Sequence, residues 1–263
     1  DGYEIKVYKQ DPEDSTSISS NAIYDIFRDS EDSLWIGTNT GLCRYMRKTD
    51  NFKNYTHFWR DSLRFPMNHR ISKIEEDQAH NIYFIRNSGG LFRLERGTGR
   101  VREIVNFNLE YNIDIINDFT FDNEGNIWLG SDEGLIFYDP DQNKTRFLHV
   151  DSDKFTNSPI TNVLFVDNQI YCGTVSQGLL VYDIKSNNFG TLQKKIGKYY
   201  INEIFQDKEG NIWIGDIDGL KFIAHKTKRI HEYVNYENDP TTIEEGGIES
   251  IFIDYQGDLW AGG

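Results

Sequence analysis

Histidine, arginine and tryptophan crowd one stretch of an otherwise acidic chain: His57, Trp59, Arg60, Arg64, Phe65, His69 and Arg70 fall within fourteen residues. Guanidinium forks pair with carboxylate and sulfate oxygens, and aromatic faces stack on rings and cations, so this set suits an acidic saccharide. Two imidazoles flanking three arginines would also suit β-elimination on an acidic polysaccharide, a base standing beside a charge neutraliser. A second basic and aromatic stretch holds Lys194, Lys195, Lys198, Tyr199 and Tyr200. Arg86 is a further candidate. One loop is not a site, and Trp59 and Phe65 equally suit the anchoring of a long loop. No nucleophile elbow, zinc-ligand cluster or phosphate loop appears, so no cofactor and no metal are expected.

These residues hang on a repeated frame. Asp122-Asn123-Glu124-Gly125-Asn126-Ile127-Trp128-Leu129-Gly130 returns as Asp207-Lys208-Glu209-Gly210-Asn211-Ile212-Trp213-Ile214-Gly215. Looser copies run from Asp29 to Gly37 and open at Asp254 with Trp260. Degraded copies at Asp77 to Ile85 and Asp167 to Gly173 carry Tyr83 and Tyr171 in the tryptophan slot. The slots lie 48, 45, 43, 42 and 47 residues apart, and such a period marks stacked supersecondary units.

Within the third repeat, the apolar residues Ile115, Ile116, Phe119 and Phe121 precede an Asp-x-x-Gly turn. Short strands follow over Ile127 to Gly130, Leu135 to Tyr138 and Thr145 to Val150, separated by turn residues. Four antiparallel strands per repeat, A to D, describe a propeller blade. Three hairpin turns per unit argue against a β-helix or solenoid. The expected fold is an all-β propeller over residues 1–263, with five complete repeats and partial blades at both ends, six or seven blades in the intact domain. Blades are expected near 17–60, 66–108, 112–152, 158–194 and 198–238. Residues 1–16 would give an outer strand only, and 246–263 inner strands only.

Composition narrows the partners. The formal net charge is −14 over 263 residues, with no basic stripe, so nucleic acid is not an expected partner. No apolar run is long enough to cross a bilayer, and no signal peptide is visible. Cys43 and Cys172 occupy different places in their repeats and are not expected to pair.

A meander puts A–B and C–D turns on one face and B–C and D–A loops on the other. Asp29, Asp77, Asp122, Asp207 and Asp254 read as turn formers rather than calcium ligands. The slot aromatics Trp35, Tyr83, Trp128, Tyr171, Trp213 and Trp260 read as core between blades. Polar residues in the A strands (Ser72, Asn117, Asn162, Asn202, Glu249) read as hydrogen-bonding neighbours that could also meet a ligand. The irregular B–C and D–A face is where binding is expected.

The string Asp-x-x-Gly-Asn-Ile-Trp-Ile-Gly, a short gap and then Gly41-Leu42, Gly134-Leu135, Gly178-Leu179 or Gly219-Leu220, resembles the two-component regulator propeller repeat. The resemblance implies a periplasmic sensor module of a hybrid two-component histidine kinase that binds oligosaccharide. It further implies a second propeller and a sandwich domain in the same parent chain, with the membrane helix and kinase beyond this one. On this reading the chain itself is not an enzyme. A lyase-type propeller enzyme and a protein-interaction scaffold are the alternatives. A homodimer through propeller edges would go with a protein-interaction scaffold.

Overall fold

The computed structural model describes residues 5–55, 70–148, 158–191, 196, 200–236, 239, 242–243, 246–254 and 256–263. The chain is an all-β propeller with five four-stranded antiparallel blades, each strand pairing with its neighbour in sequence. Two compact units cover residues 1–116 and 117–263. In the first, blade 1 comprises β1 (Ile23–Arg28), β2 (Leu34–Thr38), β3 (Gly41–Met46) and β4 (Asn51–Tyr55). Blade 2 comprises β5 (Ile71–Glu76), β6 (Ile82–Arg86), β7 (Gly90–Glu95) and β8 (Arg100–Asn106), followed by helix α1 (Phe107–Tyr111). In the second, blade 3 comprises β9 (Ile116–Phe121), β10 (Ile127–Ser131), β11 (Gly134–Asp139) and β12 (Lys144–Leu148). Blade 4 comprises β13 (Ile160–Val166), β14 (Gln169–Thr174), β15 (Leu179–Asp183) and β16 (Asn188–Thr191). Blade 5 comprises β17 (Ile201–Gln206), β18 (Ile212–Asp216), β19 (Gly219–Ile223) and β20 (Ile230–Tyr233), and a hairpin of β21 (Ser250–Ile253) and β22 (Leu259–Gly262) follows.

The repeated aspartate builds the A–B turn and holds the tryptophan with it. Asp122 Oδ1 accepts the amides of Glu124 and Asn126, both at 2.9 Å. Its Oδ2 accepts the indole N–H of Trp128 at 3.0 Å. The same indole bond joins Trp35 to Asp29 at 2.8 Å, Trp213 to Asp207 at 3.0 Å and Trp260 to Asp254 at 3.0 Å. A buried indole N–H needs an acceptor, and one carboxylate serves both turn and core. The fourth turn residue has positive φ throughout. Gly125, Gly210 and Gly257 fill that place in three copies, but Asp32 (66°) and His80 (63°) fill it in blades 1 and 2. The shortened fourth copy turns on Asp167 and Asn168, both at positive φ, a type I′ hairpin.

Trp35, Tyr83, Trp128 and Tyr171 are buried, as expected for core between blades, whereas Trp260 is 61% exposed. The glycine that follows the slot is a packing requirement. A Cβ on Gly37 would stand 2.7 Å from Ile71 O, and one on Gly130 would stand 2.7 Å from Ile160 Cγ2. The A strand of the next blade lies directly on this glycine in each case.

Two segments differ from the sequence expectation. Residues 5–10, read as an outer strand, pair into no sheet of the described chain; Tyr8 instead packs edge-on against Tyr45 and Phe52 of blade 1. The D–A loop after blade 2 contains α1, capped by Asn106, whose side chain accepts the Leu109 amide at 3.0 Å. The additional residue in the Gly89-Gly90 pair serves this helix. Gly89 O accepts the Phe107 amide at 2.8 Å, and a Cβ on Gly89 would come 2.8 Å from Ile113 O.

Candidate functional site

In the second unit, the B–C and D–A side carries an open cavity of about 760 Å³. Ile217 from the B–C turn of blade 5 lines it, with Tyr200 from the loop before β17. Thr242, Ile243, Gly246 and Gly247 come from the loop after β20, and Asn202 and Glu249 from the starts of two A strands. Tyr200 is 44% exposed, so its ring is available to a ligand. Thr242 is committed to its own loop, donating to Asp239 O at 2.9 Å and accepting the Tyr236 amide at 3.1 Å. The available groups are an aromatic ring, the Glu249 carboxylate, the Asn202 side chain and the backbone around Gly246 and Gly247.

Asn202 also fixes the frame of the cavity, donating from Nδ2 to Ile248 O at 2.9 Å. Asn117 makes the equivalent bond to Ile160 O at 2.9 Å, and Thr161 bonds Ile201 O at 2.8 Å. One residue on, acidic side chains accept amides of the next blade. Asp25 takes Ile74 N at 2.6 Å, Asp118 takes Val163 N at 2.9 Å, and Glu203 takes Ile251 N. The polar residues of the A strands thus stitch blade to blade.

The last position of the B strand in each of the five blades is buried and polar: Thr38, Arg86, Ser131, Thr174 and Asp216. Three are hydroxyls that close the B–C turn. Thr38 donates to Gly41 O at 2.9 Å, Ser131 to Gly134 O at 2.8 Å and Thr174 to Gly178 O at 2.8 Å. Asp216 instead accepts the Asp218 amide at 3.0 Å and forms an ion pair with Lys221, both residues being buried. Lys221 occupies the place held by Cys43, Ile136 and Leu180 in other blades.

Of the basic candidates, His57, Trp59, Arg60, Arg64, His69, Lys194, Lys195, Lys198 and Tyr199 lie outside the described residues. Arg70 and Arg86 are described and adjacent, Asn87 N donating to Arg70 O at 3.1 Å. Their guanidinium groups diverge. Arg70 lies 4.0 Å over the ring of Tyr24 in blade 1. Arg86 is 6% exposed and turns toward the outer strands of its own blade, 5.5 Å over Phe92 and 3.9 Å from Glu103. Burial holds the Arg86 guanidinium below the usual arginine range, and Glu103 offsets part of this. The two arginines therefore do not converge on one anion.

Sequence reading named Tyr200, Asn202 and Glu249 but missed Ile217, Thr242, Ile243, Gly246 and Gly247, which also line the cavity. The signal for most of these is the long segment between blade 5 and β21 with its Gly246-Gly247 pair. It also missed the Asp216–Lys221 pair, signalled by a lysine in an otherwise apolar column. Residues 117–263 hold 24 Asp and Glu against 12 Lys and Arg, whereas 1–116 hold 18 against 16. Among its described lining residues the cavity has no cation.

Blades, turn chemistry and interlocking A strands define a repeat-built β-propeller. Residues 17–40 and 195–218 each match the two-component regulator propeller model. No curated protein matches it. Its fold is similar to the extracellular domain of a putative hybrid two-component system from B. thetaiotaomicron, at 22% identity and TM-score 0.64, covering 98% of this chain and 34% of that one. A second such domain from the same organism aligns at 15% identity and TM-score 0.59, covering 94% and 38%. This chain thus spans 34 to 38% of those domains. Virginiamycin B lyase from Staphylococcus aureus aligns at 14% identity and TM-score 0.70, covering 91% and 77%. At these identities the likeness is one of fold.

Proposed function

We propose that this chain is a ligand-binding propeller in the extracytoplasmic, periplasmic sensor of a two-component signalling protein. It binds an oligosaccharide, and the kinase that receives the signal belongs to another part of the parent. The cavity beside Tyr200, Asn202 and Glu249 carries the reading. An exposed ring with amide, carboxylate and backbone groups around it suits a hydroxyl-rich ligand, each hydroxyl donating and accepting once. The repeats support the signalling context. A second propeller and a sandwich domain of the parent are the neighbours this reading gives it, with pairing to a second copy through propeller edges.

The test is thermal unfolding of the chain against neutral and anionic oligosaccharides. A ligand that binds only the folded state raises the melting temperature in proportion to ln(1 + [L]/Kd). One class of sugar should give a saturable rise, reduced in Tyr200→Ala and Glu249→Gln. The sugar should be recovered unchanged, whereas a lyase would release product absorbing in the ultraviolet. If no sugar gives a saturable rise, the reading fails.

A further inference from the structure

Blades 1 and 2 meet through a guanidinium. Arg96, the residue after β7, hydrogen-bonds Asp29 and forms ion pairs with Glu31 and Glu76, while its Nε donates to His80 O at 2.9 Å. Blade 5 places His225 at the same position, its Nδ1 3.7 Å from Asp167 of blade 4. At the junction of blades 3 and 4 that position is Ile184. Blade 3 still presents its share of the receiving groups in the same spacing: Asp122, Glu124 and Trp128 correspond to Asp29, Glu31 and Trp35, while Val166 of blade 4 stands where blade 2 has Glu76. Here a cavity of about 180 Å³ opens, lined by these three with Phe137, Phe165 and Ile184 among others.

We infer that this cavity is a binding site for a guanidinium group brought by another molecule. The occupant of the equivalent place in blades 1 and 2 supplies the template. Glu124 takes the role of Glu31 and offers hydrogen bonds in a fork geometry. Asp122 contributes charge rather than a free lone pair, because Asn126 Nδ2 already donates to its Oδ2 at 3.0 Å where Ser33 leaves Asp29 open to Arg96. The aromatic walls favour a flat, weakly hydrated cation over a compact ammonium. Arg146 also lines the cavity, 4.3 Å over Phe137. Its counterpart in blade 1 is Lys53, whose Nζ lies 5.1 Å over the ring of Tyr55.

The experiment follows the Trp128 indole N–H resonance by NMR while agmatine and, separately, a blocked peptide with one arginine are titrated. A saturable shift of Trp128 that spares Trp213 supports the site. Tighter binding of agmatine identifies a free small cation as the source, and tighter binding of the peptide identifies an arginine carried by a polypeptide. Glu124→Gln should weaken either about tenfold, the loss of one charge-assisted hydrogen bond. Glu124 is exposed, so this variant keeps the fold. Ile184→Arg should raise the melting temperature and abolish the response by filling the site from within. No Trp128 shift with either probe, or an undiminished response in Ile184→Arg, overturns the inference. Urea, uncharged and similarly flat, should leave the resonance unshifted at the same concentration.

Discussion

Blades 4 and 5 finish the B strand differently. In blade 4, Thr174 donates its hydroxyl to Gly178 O at 2.8 Å, and Leu180 packs behind it at 1% exposure. In blade 5, the same two places hold Asp216 and Lys221, at 0% and 5% exposure. The hydroxyl is satisfied within its own turn, so its column can be apolar. The carboxylate takes an amide and still carries charge, so it needs the lysine. A local solution leaves neighbours free to vary, and a charged solution binds two strands to each other.

Breaking one side of the pair should have the largest effect. Lys221→Leu leaves Asp216 buried without its cation and should destabilise by about 3–5 kcal/mol, read as a lower urea midpoint at unchanged slope. A loss under about 1 kcal/mol would mean that Asp216 is protonated or hydrated and that the comparison is false. The next effect concerns the glycines of blade 3, which packs on blade 4. Gly130→Ala puts a Cβ 2.7 Å from Ile160 Cγ2 and should cost about 1–3 kcal/mol. Gly125→Ala meets open space at φ +83°, so conformational strain of about 1–2 kcal/mol is its only expected loss.

Smaller still is the turn carboxylate. Burial pushes the Asp207 carboxyl up, but hydrogen bonds from the Asn211 side chain, Trp213 and the turn amides outweigh it and hold it below the usual range. With the folded value depressed, the stabilisation is complete above an unfolded pKa of about 4 and fades as pH falls through the folded value. Asp207→Asn should lose about 1 kcal/mol near neutral pH, and its gap from the wild type should close on acidification in urea melts. The smallest expected change sharpens the comparison most. Converting blade 5 to the blade 4 pattern with Asp216→Thr and Lys221→Leu together should return stability to within about 1 kcal/mol of wild type or above it. A double variant as weak as Lys221→Leu alone would show that the pair also holds something outside its own blade.

Much of this architecture is legible in the sequence. Asp and Gly at fixed offsets announce turns through their backbone preferences, and β-branched and aromatic runs between them announce strands. The indole–aspartate bond was not legible, because the two residues read separately as turn former and core. Only the folded hairpin brings Trp128 back to Asp122. The site was less legible than the fold. Arg70 and Arg86 are neighbours, as their positions suggest, but a side chain's direction depends on which ring or carboxylate it finds. For Arg70 this is Tyr24 of blade 1, and for Arg86 it is Phe92 and Glu103. The cavity residues Ile217, Ile243 and Gly247 carry no motif, since concavity arises from where loops stop rather than from any residue type.

The stitching of blade to blade also makes two amides unusual reporters. Ile74 N and Val163 N donate to Asp25 and Asp118 of the preceding blade. Their protons are thus protected by a junction and not by the ladder of their own sheet. In native-state hydrogen exchange they will mark separation of one blade from the next, while amides of the inner strand pairs mark the opening of a blade itself. Two sites along the chain can therefore be used to ask which gives way first, the sheet or the seam between sheets.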